Sequence, residues 1–285
     1  MTSPSSSLRL ALLQVASSPQ PAANLARLPE LAERARDADL VVLPEVFARD
    51  FGSAGDPEAR DAEPLDGPFV AGLVEAARRQ GGTWVAGMFE RSEDPDRPFN
   101  TLVAVDGHGL RATYRKIHLY DSFGYKESDR LAAADPVPTV VDVAGVQVGL
   151  TTCYDLRFPE LSRALARAGT DLLLVPAAWV AGPRKMAQWR ALLVARAIEN
   201  VAYVAGVSQP GPRYTGHSTV VDPRGEIVAS AEDGEAVVTA TVDAALLQEA
   251  RTENPSLLNR RDDVPWAAAL RVGPRDPRSG DAGHA

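Results

Sequence analysis

Residues 39–44 read Asp-Leu-Val-Val-Leu-Pro, and residues 171–176 repeat the pattern as Asp-Leu-Leu-Leu-Val-Pro. Each copy follows a stretch with helical periodicity, and each is the unbroken apolar run typical of a strand buried on both faces of a sheet. A second pair keeps the same order: Val105-Asp106-Gly-His-Gly109 recurs as Val221-Asp222-Pro-Arg-Gly225, and both read as hairpin turns. The repeat predicts two similar α/β halves with face-to-face sheets and outer helices. Chance similarity of such short motifs is the alternative.

Apolar runs alternate with amphipathic ones along the rest of the chain. This periodicity predicts helices at Asn24–Asp39, Pro68–Gln80, Pro159–Arg167, Arg184–Val201 and Ala244–Glu253. Strands relevant to function are predicted at Leu40–Phe47, Ala112–Leu119, Val146–Cys153 and Asp171–Trp179, and residues 120–138 read as irregular. Because no linker-like composition separates the halves, we predict a single domain over residues 1–270. Residues 271–285, rich in Gly, Pro and charge, are predicted to form a flexible tail.

The composition of the 285 residues, 45% hydrophobic and 24% charged, is that of a globular protein. A formal net charge of −8 argues against a nucleic-acid partner, and no run approaches the roughly 18 apolar residues of a membrane span. The N-terminal residues do not resemble a secretory signal, so we expect a cytoplasmic protein. One cysteine cannot form an internal disulfide, the four histidines show no ligand spacing, and nucleotide-binding motifs are absent. We therefore predict no metal and no cofactor.

The single cysteine, Cys153, ends a predicted strand and precedes a helix that begins at Pro159. A thiol at such a bend faces free backbone N–H groups and the positive end of the helix dipole, which favour the thiolate. The backbone N–H of Tyr154 can point at an oxyanion there. Because a lone cysteine can equally be a small buried packing residue, the neighbouring candidates must decide between the two.

Two charged side chains are candidates to work with this thiol. Glu45 ends an apolar strand, where a charge is costly unless paired, and the matching position of the second half is Ala177. A carboxylate can act as the base when burial brings its pKa towards that of a thiol. Lys116 would share one strand face with Tyr114 and His118 and could hold an oxyanion. The alternatives are a glutamate that turns into solvent and an ordinary lysine of an edge strand.

Lysine is rare, since all but three of the 30 basic residues are arginines. A lysine at position 116 therefore indicates a need for a compact ammonium, whereas Lys126 and Lys185 have no evident role in the sequence. Glu127 is the only glutamate between residues 120 and 138. It either orients Glu45 or Lys116, or it is solvated in a loop.

Three segments resemble the motifs of one enzyme superfamily. In chain order, Pro44-Glu45, Arg115-Lys116-Ile-His-Leu119 and Cys153-Tyr-Asp-Leu-Arg-Phe-Pro-Glu160 are similar to the signatures of the nitrilase, or carbon–nitrogen hydrolase, superfamily. Residues 195–200, 216–222 and 259–262 are also similar to segments of that superfamily and point to its amidase-like Nit branch. The resemblance covers nearly the whole chain, from about residue 8 to residue 263.

The resemblance implies an α/β fold, a four-layer α-β-β-α sandwich, assembled as a homodimer or larger homo-oligomer. It implies that Cys153 is the nucleophile, Glu45 the general base and Lys116 the oxyanion stabiliser, with Glu127 as an additional structural or catalytic glutamate. The implied activity is hydrolysis of a small linear carboxamide to acid and ammonia through a cysteine thioester. The ω-amide of an α-keto acid is the first substrate class, and an N-carbamoyl amine or amino acid is the second.

Two departures bear on the substrate. Nitrile-hydrolysing members carry Trp-Glu after the cysteine, whereas this chain has Tyr154-Asp155, which argues against a nitrile. The segment between Lys116 and Glu127 is also shorter than in the eukaryotic ω-amidases of this branch. A non-enzymatic scaffold in which Cys153 only packs, and a single-cysteine redox protein, are the alternatives from other functional classes.

Residues outside the three motifs are candidates for the substrate pocket. Trp179 follows the strand that matches the strand of Glu45, so it either lines the pocket or packs under the next helix. Arg157 and Arg184 could meet a substrate carboxylate, but we expect Arg157 to pair with Glu160 at i+3 and assign neither arginine to the site.

Overall fold

The computed structural model describes residues 7–53, 56–261 and 264. The helices are α1 (Pro21–Arg34), α2 (Pro68–Gln80), α3 (Pro159–Arg167), α4 (Lys185–Asn200) and α5 (Ala244–Glu253). The strands are β1 (Leu8–Gln14), β2 (Leu40–Val42), β3 (Thr83–Glu90), β4 (Phe99–Asp106), β5 (Gly109–Arg115), β6 (Asp121–Ser122), β7 (Tyr125–Lys126), β8 (Thr139–Val143), β9 (Val146–Leu150), β10 (Leu172–Ala177), β11 (Tyr203–Ser208), β12 (Thr219–Val221), β13 (Ile227–Ser230) and β14 (Ala236–Val242). Short 3₁₀-helices lie at Glu58–Asp61, Glu127–Asp129 and Cys153–Arg157.

Two six-stranded sheets share one internal plan. The first has the order β14-β1-β2-β3-β4-β5 and the second β13-β12-β11-β10-β9-β8. In each, three parallel strands (β1, β2 and β3, or β9, β10 and β11) continue into an antiparallel hairpin (β4–β5, or β12–β13). Because β2 and β10 hold equivalent positions, and the repeated turns both join the hairpin strands, the internal repeat is confirmed.

The side chains of the first sheet alternate between its two faces. One face packs on α1 and α2, through Leu13, Val41, Trp84, Leu28, Leu31 and Leu73. The other face joins the apolar core that also contains the second sheet, α3 and α4, through Leu10, Leu12, Val42, Leu102, Val148, Leu174, Leu165 and Leu193. The layers therefore follow the order α-β-β-α, as predicted.

Four strands end earlier than predicted, and each ends just before a candidate functional residue. β2 stops at Val42 rather than Phe47, β5 at Arg115 rather than Leu119, β9 at Leu150 rather than Cys153, and β10 at Ala177 rather than Trp179. The chain turns out of the sheet after β2 and β9, since Val46 and Cys153 have positive φ angles of 49° and 48°. The segment predicted as irregular contains the β6–β7 hairpin and a 3₁₀-helix.

The end of the predicted domain at residue 270 and the predicted tail at residues 271–285 lie outside the described residues. Within the described ranges, no helix is both long and apolar enough to span a bilayer. Cys153 carries a free thiol.

Candidate active site

Glu45, Lys116 and Cys153 each follow the carboxyl end of a strand, and the structure brings them together. Lys116 Nζ lies 2.9 Å from Glu45 Oε1. Cys153 lines the same cavity as Glu45 and Lys116, and the charges of both side chains act on its thiol. Facing parallel strands that end at the same side of a sandwich place their following residues in one crevice. The structure thus joins a carboxylate, a cation and a thiol that are distant in sequence.

The Glu45 carboxylate is buried and held at both oxygens. Its Oε1 accepts from Lys116 Nζ and from Asn100 Nδ2 at 2.8 Å, and its Oε2 accepts from the backbone N–H of Ala178 at 2.7 Å. Only 1% of Glu45 is exposed. The alternative that it turns into solvent is therefore wrong, and its orientation towards the thiol is fixed.

Lys116 is equally buried and lies between two carboxylates. Besides Glu45, its Nζ donates to Glu127 Oε1 at 3.1 Å and to Glu127 Oε2 at 2.9 Å. Glu127 also accepts from the backbone N–H of Tyr120. Both side chains are at most 2% exposed, so neither the edge-strand lysine nor the loop-solvated glutamate is found. Glu127 orients Lys116, which was one of the two interpretations left open by the sequence.

The backbone around the site is held in sparsely populated conformations. Both Val46, directly after Glu45, and Cys153 are left-handed, a geometry that costs roughly 1–3 kcal/mol in a residue with a Cβ. Gly87 on β3 allows the first of these turns, because a Cβ there would lie 2.2 Å from Val46 N. The turns aim the carboxylate and the thiol away from their strands.

Asp155 ties the lysine segment to the cysteine segment. Its fully buried carboxylate accepts from the backbone N–H of Thr152 at 2.9 Å and from that of His118 at 3.0 Å. It also accepts from Tyr114 Oη at 2.6 Å, and His118 Nδ1 lies 2.7 Å from its other oxygen. Burial and the Asp155 charge hold the pKa of Tyr114 well above its usual range, so its hydroxyl stays a donor. Asp155 therefore fixes the position of Lys116 relative to Cys153.

Burial and charge set the protonation of the buried groups. Burial would lower the pKa of Lys116, but the Glu127 and Glu45 carboxylates outweigh it and hold that pKa well above its ordinary value. Burial also raises the pKa of Glu127, against the effect of Lys116. Burial and the Glu45 charge together hold the pKa of the Cys153 thiol well above its usual range. The position at the strand end favours the thiolate, but desolvation exceeds the attraction of Lys116, so the resting group is a neutral thiol.

A cavity of about 790 Å³ is lined by Glu45, Lys116, Glu127 and Cys153. Trp179 lines it and also packs on Trp189 of α4, with ring centroids 5.2 Å apart, so both interpretations of this residue hold. Tyr154 lines the cavity with its ring, and its N–H is near the start of a 3₁₀-helix, where amides have no partner within the helix. The oxyanion role of that N–H stays a prediction. Over the ranges that the structure describes, no group of three or more His, Cys, Asp or Glu side chains is placed to hold a metal ion.

Arg157 faces this cavity rather than pairing with Glu160. Its Nη2 donates to Gln188 Oε1 at 2.8 Å, and its guanidinium lies 5.0 Å from the centroid of the Trp179 ring. Its Nε is buried without a hydrogen-bond partner. The sequence expectation of an Arg157–Glu160 pair is wrong because the Trp179 face and Gln188 hold the guanidinium at the cavity wall.

A family model described as carbon-nitrogen hydrolase matches residues 9–252. The chain belongs to the carbon–nitrogen hydrolase family. Family membership makes it a hydrolase acting on carbon–nitrogen bonds other than peptide bonds, which sets aside the scaffold and redox alternatives.

Similar proteins agree with this assignment. Deaminated glutathione amidase of Escherichia coli O157:H7 is 39% identical over 226 residues, which cover 79% of this chain and 86% of that protein. The 2-oxoglutaramate amidase of Paenarthrobacter nicotinovorans is 38% identical over 257 residues, covering 86% and 85%. The crystal structure of Saccharomyces cerevisiae Nit3, a member of branch 10 of the nitrilase superfamily, superimposes with a TM-score of 0.79 at 31% identity, covering 87% and 94%. The predicted superfamily and its sandwich fold are confirmed.

Sequence reasoning missed Asn100 of β4. Its Nδ2 donates to Glu45 Oε1 at 2.8 Å and to Glu127 Oε1 at 3.4 Å, and its backbone oxygen accepts from Lys116 N at 2.8 Å. One amide thus contacts both carboxylates of this carbon–nitrogen hydrolase. The signal available in the sequence was a polar residue, Asn100, at the start of a strand that is otherwise largely apolar.

Asn100→Ala is expected to lower kcat up to about 10²-fold, because both carboxylates lose a shared donor that positions them. Asn24→Ala is the matched control: Asn24 is also buried, donates to Ser18 O and Ala48 O, and lies outside the site. Both variants should lose about 1–3 kcal/mol of unfolding free energy, but only the first should lose turnover. Urea unfolding and steady-state kinetics measure the two effects. Equal kcat in the two variants contradicts a positioning role.

Proposed function

We propose that this hydrolase is a cofactor-independent amidase that converts a small linear carboxamide to its acid and ammonia. The observation that carries the proposal is the buried Glu45–Lys116 pair, which lines one open cavity together with Cys153. It supplies a base, a fixed cation and a nucleophile, which are the groups that acyl transfer requires.

Acylation begins with a neutral thiol. Glu45 accepts the thiol proton as Cys153 Sγ attacks the amide carbon, so that no free thiolate has to form in the buried site. The carbonyl oxygen becomes an oxyanion, which the buried charge of Lys116 and the N–H of Tyr154 stabilise. Glu45 then gives the proton to the leaving nitrogen, the C–N bond breaks, ammonia departs and a thioester remains on Cys153.

Deacylation repeats these steps with water. The water oxygen attacks the thioester carbon while Glu45 takes a proton from that water. Lys116 again faces the oxyanion. The C–S bond breaks, the carboxylic acid leaves, and Cys153 recovers its proton from Glu45. Glu127 acts through Lys116, whose ammonium it holds in place.

We infer that the substrate is the ω-amide of an α-keto acid. The two similar amidases named above support this class, since their names describe such amides. Arg157 and Arg184 line the cavity, and no ion pair among the residues that the structure describes gives either one an acidic partner. A substrate carboxylate would supply the missing counter-charge.

We also infer a homodimer or larger homo-oligomer. Ile198 of α4, and Ile227 and Val228 of β13, are exposed apolar side chains that an assembly would cover. The acidic net charge supports the absence of a nucleic-acid partner. The absence of a membrane partner and the cytoplasmic location stay predictions from the sequence.

Ammonia release from four substrates tests the proposed function. We expect kcat/KM to be highest for 2-oxoglutaramate, lower for pentanamide, and lowest for N-carbamoyl-β-alanine and propionitrile. Preferred turnover of the N-carbamoyl compound would replace the amidase with the second substrate class. Turnover of the nitrile without turnover of either amide would overturn the proposal.

A further inference from the structure

Lys185, the first residue of α4, faces the active-site cavity without an acidic partner. Its Nζ donates to Tyr120 Oη at 3.0 Å and lies 4.1 Å from the centroid of the Phe123 ring. The other two lysines are paired: Lys116 with two glutamates, and Lys126 with Asp129 at 2.9 Å. In the described part of the chain, no ion pair involves Lys185. Its charge is therefore uncompensated.

The position of Lys185 is fixed by its backbone. The preceding residue, Arg184, is left-handed with φ 62°, which turns the chain into α4. The indole Nε1 of Trp179 donates to the backbone oxygen of Lys185 at 3.0 Å. The ammonium is thereby held at the cavity wall, where a ligand can contact it without refolding the segment.

Two cations lie close to the ring of one tryptophan, Trp179. Lys185 Nζ lies 5.8 Å and the Arg157 guanidinium 5.0 Å from the Trp179 ring centroid. Like charges repel, and neighbouring aromatic rings offset only part of this repulsion. An anion bound in the cavity that both residues line would relieve this repulsion.

The charges at the thiol are arranged in the opposite way. Glu45 and Glu127 surround a single cation, Lys116, so an anionic group is disfavoured there whereas a neutral amide is not. A ligand that is neutral at the thiol and negative at the tryptophan face matches both ends of the cavity. The Tyr120 hydroxyl, which accepts from Lys185, keeps its own O–H to donate to an anion.

We propose that Lys185 binds a carboxylate of the substrate and thereby selects amides that carry a free carboxylate over neutral amides of the same length. This role rests on the proposed amidase function. It gives a purpose to a lysine that the sequence left unexplained. The opposing possibility is that Lys185 only anchors the β6–β7 hairpin, through Tyr120 and Phe123.

Lys185→Met tests the role, because methionine keeps an unbranched apolar side chain and removes the ammonium. Glutaramate and pentanamide are a matched pair of linear amides with and without a carboxylate. We expect kcat/KM for glutaramate to fall about 10- to 100-fold, mainly through KM, and that for pentanamide to change less than about twofold. Lys185→Arg should restore most of the preference. Lys126→Met, which removes an exposed lysine, should leave both substrates unaffected.

Equal losses on the two amides would reduce Lys185 to a hairpin anchor, and an unchanged preference in Lys185→Met would also overturn the proposal. If the wild-type protein hydrolyses neither amide, the amidase function itself fails. Calorimetric titration with glutarate needs no turnover and separates these failures. Wild-type protein should bind glutarate, and Lys185→Met should bind it at least about tenfold more weakly.

Discussion

Cys153→Ala should lower kcat/KM for the amide substrate at least about 10⁴-fold. Without the nucleophile, Glu45 and Lys116 have no thiol attack to assist, so their contribution to the rate is lost as well. Glu45 and Lys116 stay in place, but the thioester cannot form. Cys153→Ser should fail nearly as completely, since a hydroxyl is much less acidic than a thiol and Glu45 would have to deprotonate it. Ammonia release measures both variants. Hydrolysis by Cys153→Ala at the wild-type rate would refute the thioester mechanism.

Two further measurements isolate the covalent step. Hydroxylamine added during turnover should intercept the acyl group as a hydroxamate in the wild-type protein and in neither Cys153 variant. Iodoacetamide should alkylate Cys153 readily at neutral pH, although the thiol is protonated at rest, because Glu45 accepts its proton during attack. Glu45→Gln should slow this alkylation strongly. Fast alkylation of Glu45→Gln would show that another group is the base.

Lys116→Met should affect turnover and stability together. Loss of the only cation that contacts Glu45 and Glu127 among the described residues removes oxyanion stabilisation, and kcat should fall about 10²–10³-fold. The same change leaves two buried carboxylates without compensation. Breaking a buried pair in this way typically costs about 3–5 kcal/mol of unfolding free energy at neutral pH.

The loss of stability should depend on pH with a defined sign. The pKa of Glu127 is already raised in the folded protein, and removal of Lys116 should raise it further. A carboxyl whose folded pKa exceeds its unfolded value destabilises the fold as pH rises through the folded pKa. The destabilisation by Lys116→Met should therefore be largest at neutral pH and shrink as the pH falls towards about 4. Urea unfolding at several pH values measures this.

Lys116→Met combined with Glu127→Gln is the matched control. Removal of one carboxylate should restore most of the lost unfolding free energy at neutral pH without restoring turnover. A destabilisation that does not change between neutral and acidic pH would contradict the assignment of the effect to buried carboxylates. Recovery of activity in the double variant would contradict the role of Lys116 at the oxyanion.

The sequence predicted much of the fold because the signals are local. Unbroken apolar runs such as Leu40–Leu43 and Leu172–Val175 identify central strands of parallel sheets, and their repetition predicted two equivalent halves. The strand ends were less well predicted. Apolar residues recur at Val46 and Phe47, but β2 ends at Val42 and the chain turns away through the positive φ of Val46, an angle that hydrophobicity does not encode.

The sequence also identified Glu45, Lys116 and Cys153, since a charge at the end of an apolar strand and a single thiol are visible without a structure. It could not identify Asn100 or Asp155 as their partners. The Asn100–Glu45 hydrogen bond spans 55 residues and depends on strand pairing within the first sheet. The Tyr114–Asp155 hydrogen bond spans 41 residues and depends on the packing of the two sheets against each other. The sequence also left open whether Glu127 orders Lys116 or is solvated in a loop, because that contact too is formed only in the folded chain.

By itself, the sequence determined the two-sheet plan, the three candidate residues and the rarity of lysine and cysteine that made them conspicuous. Tertiary structure alone decided the protonation of the thiol, because the balance between burial, Glu45 and Lys116 depends on distances that no local pattern specifies. It also decided that the cationic groups of Arg157 and Lys185 both lie near the Trp179 ring. Sequence periodicity fixes which face of an element is buried, whereas charges interact through space, and only the folded chain sets their separations.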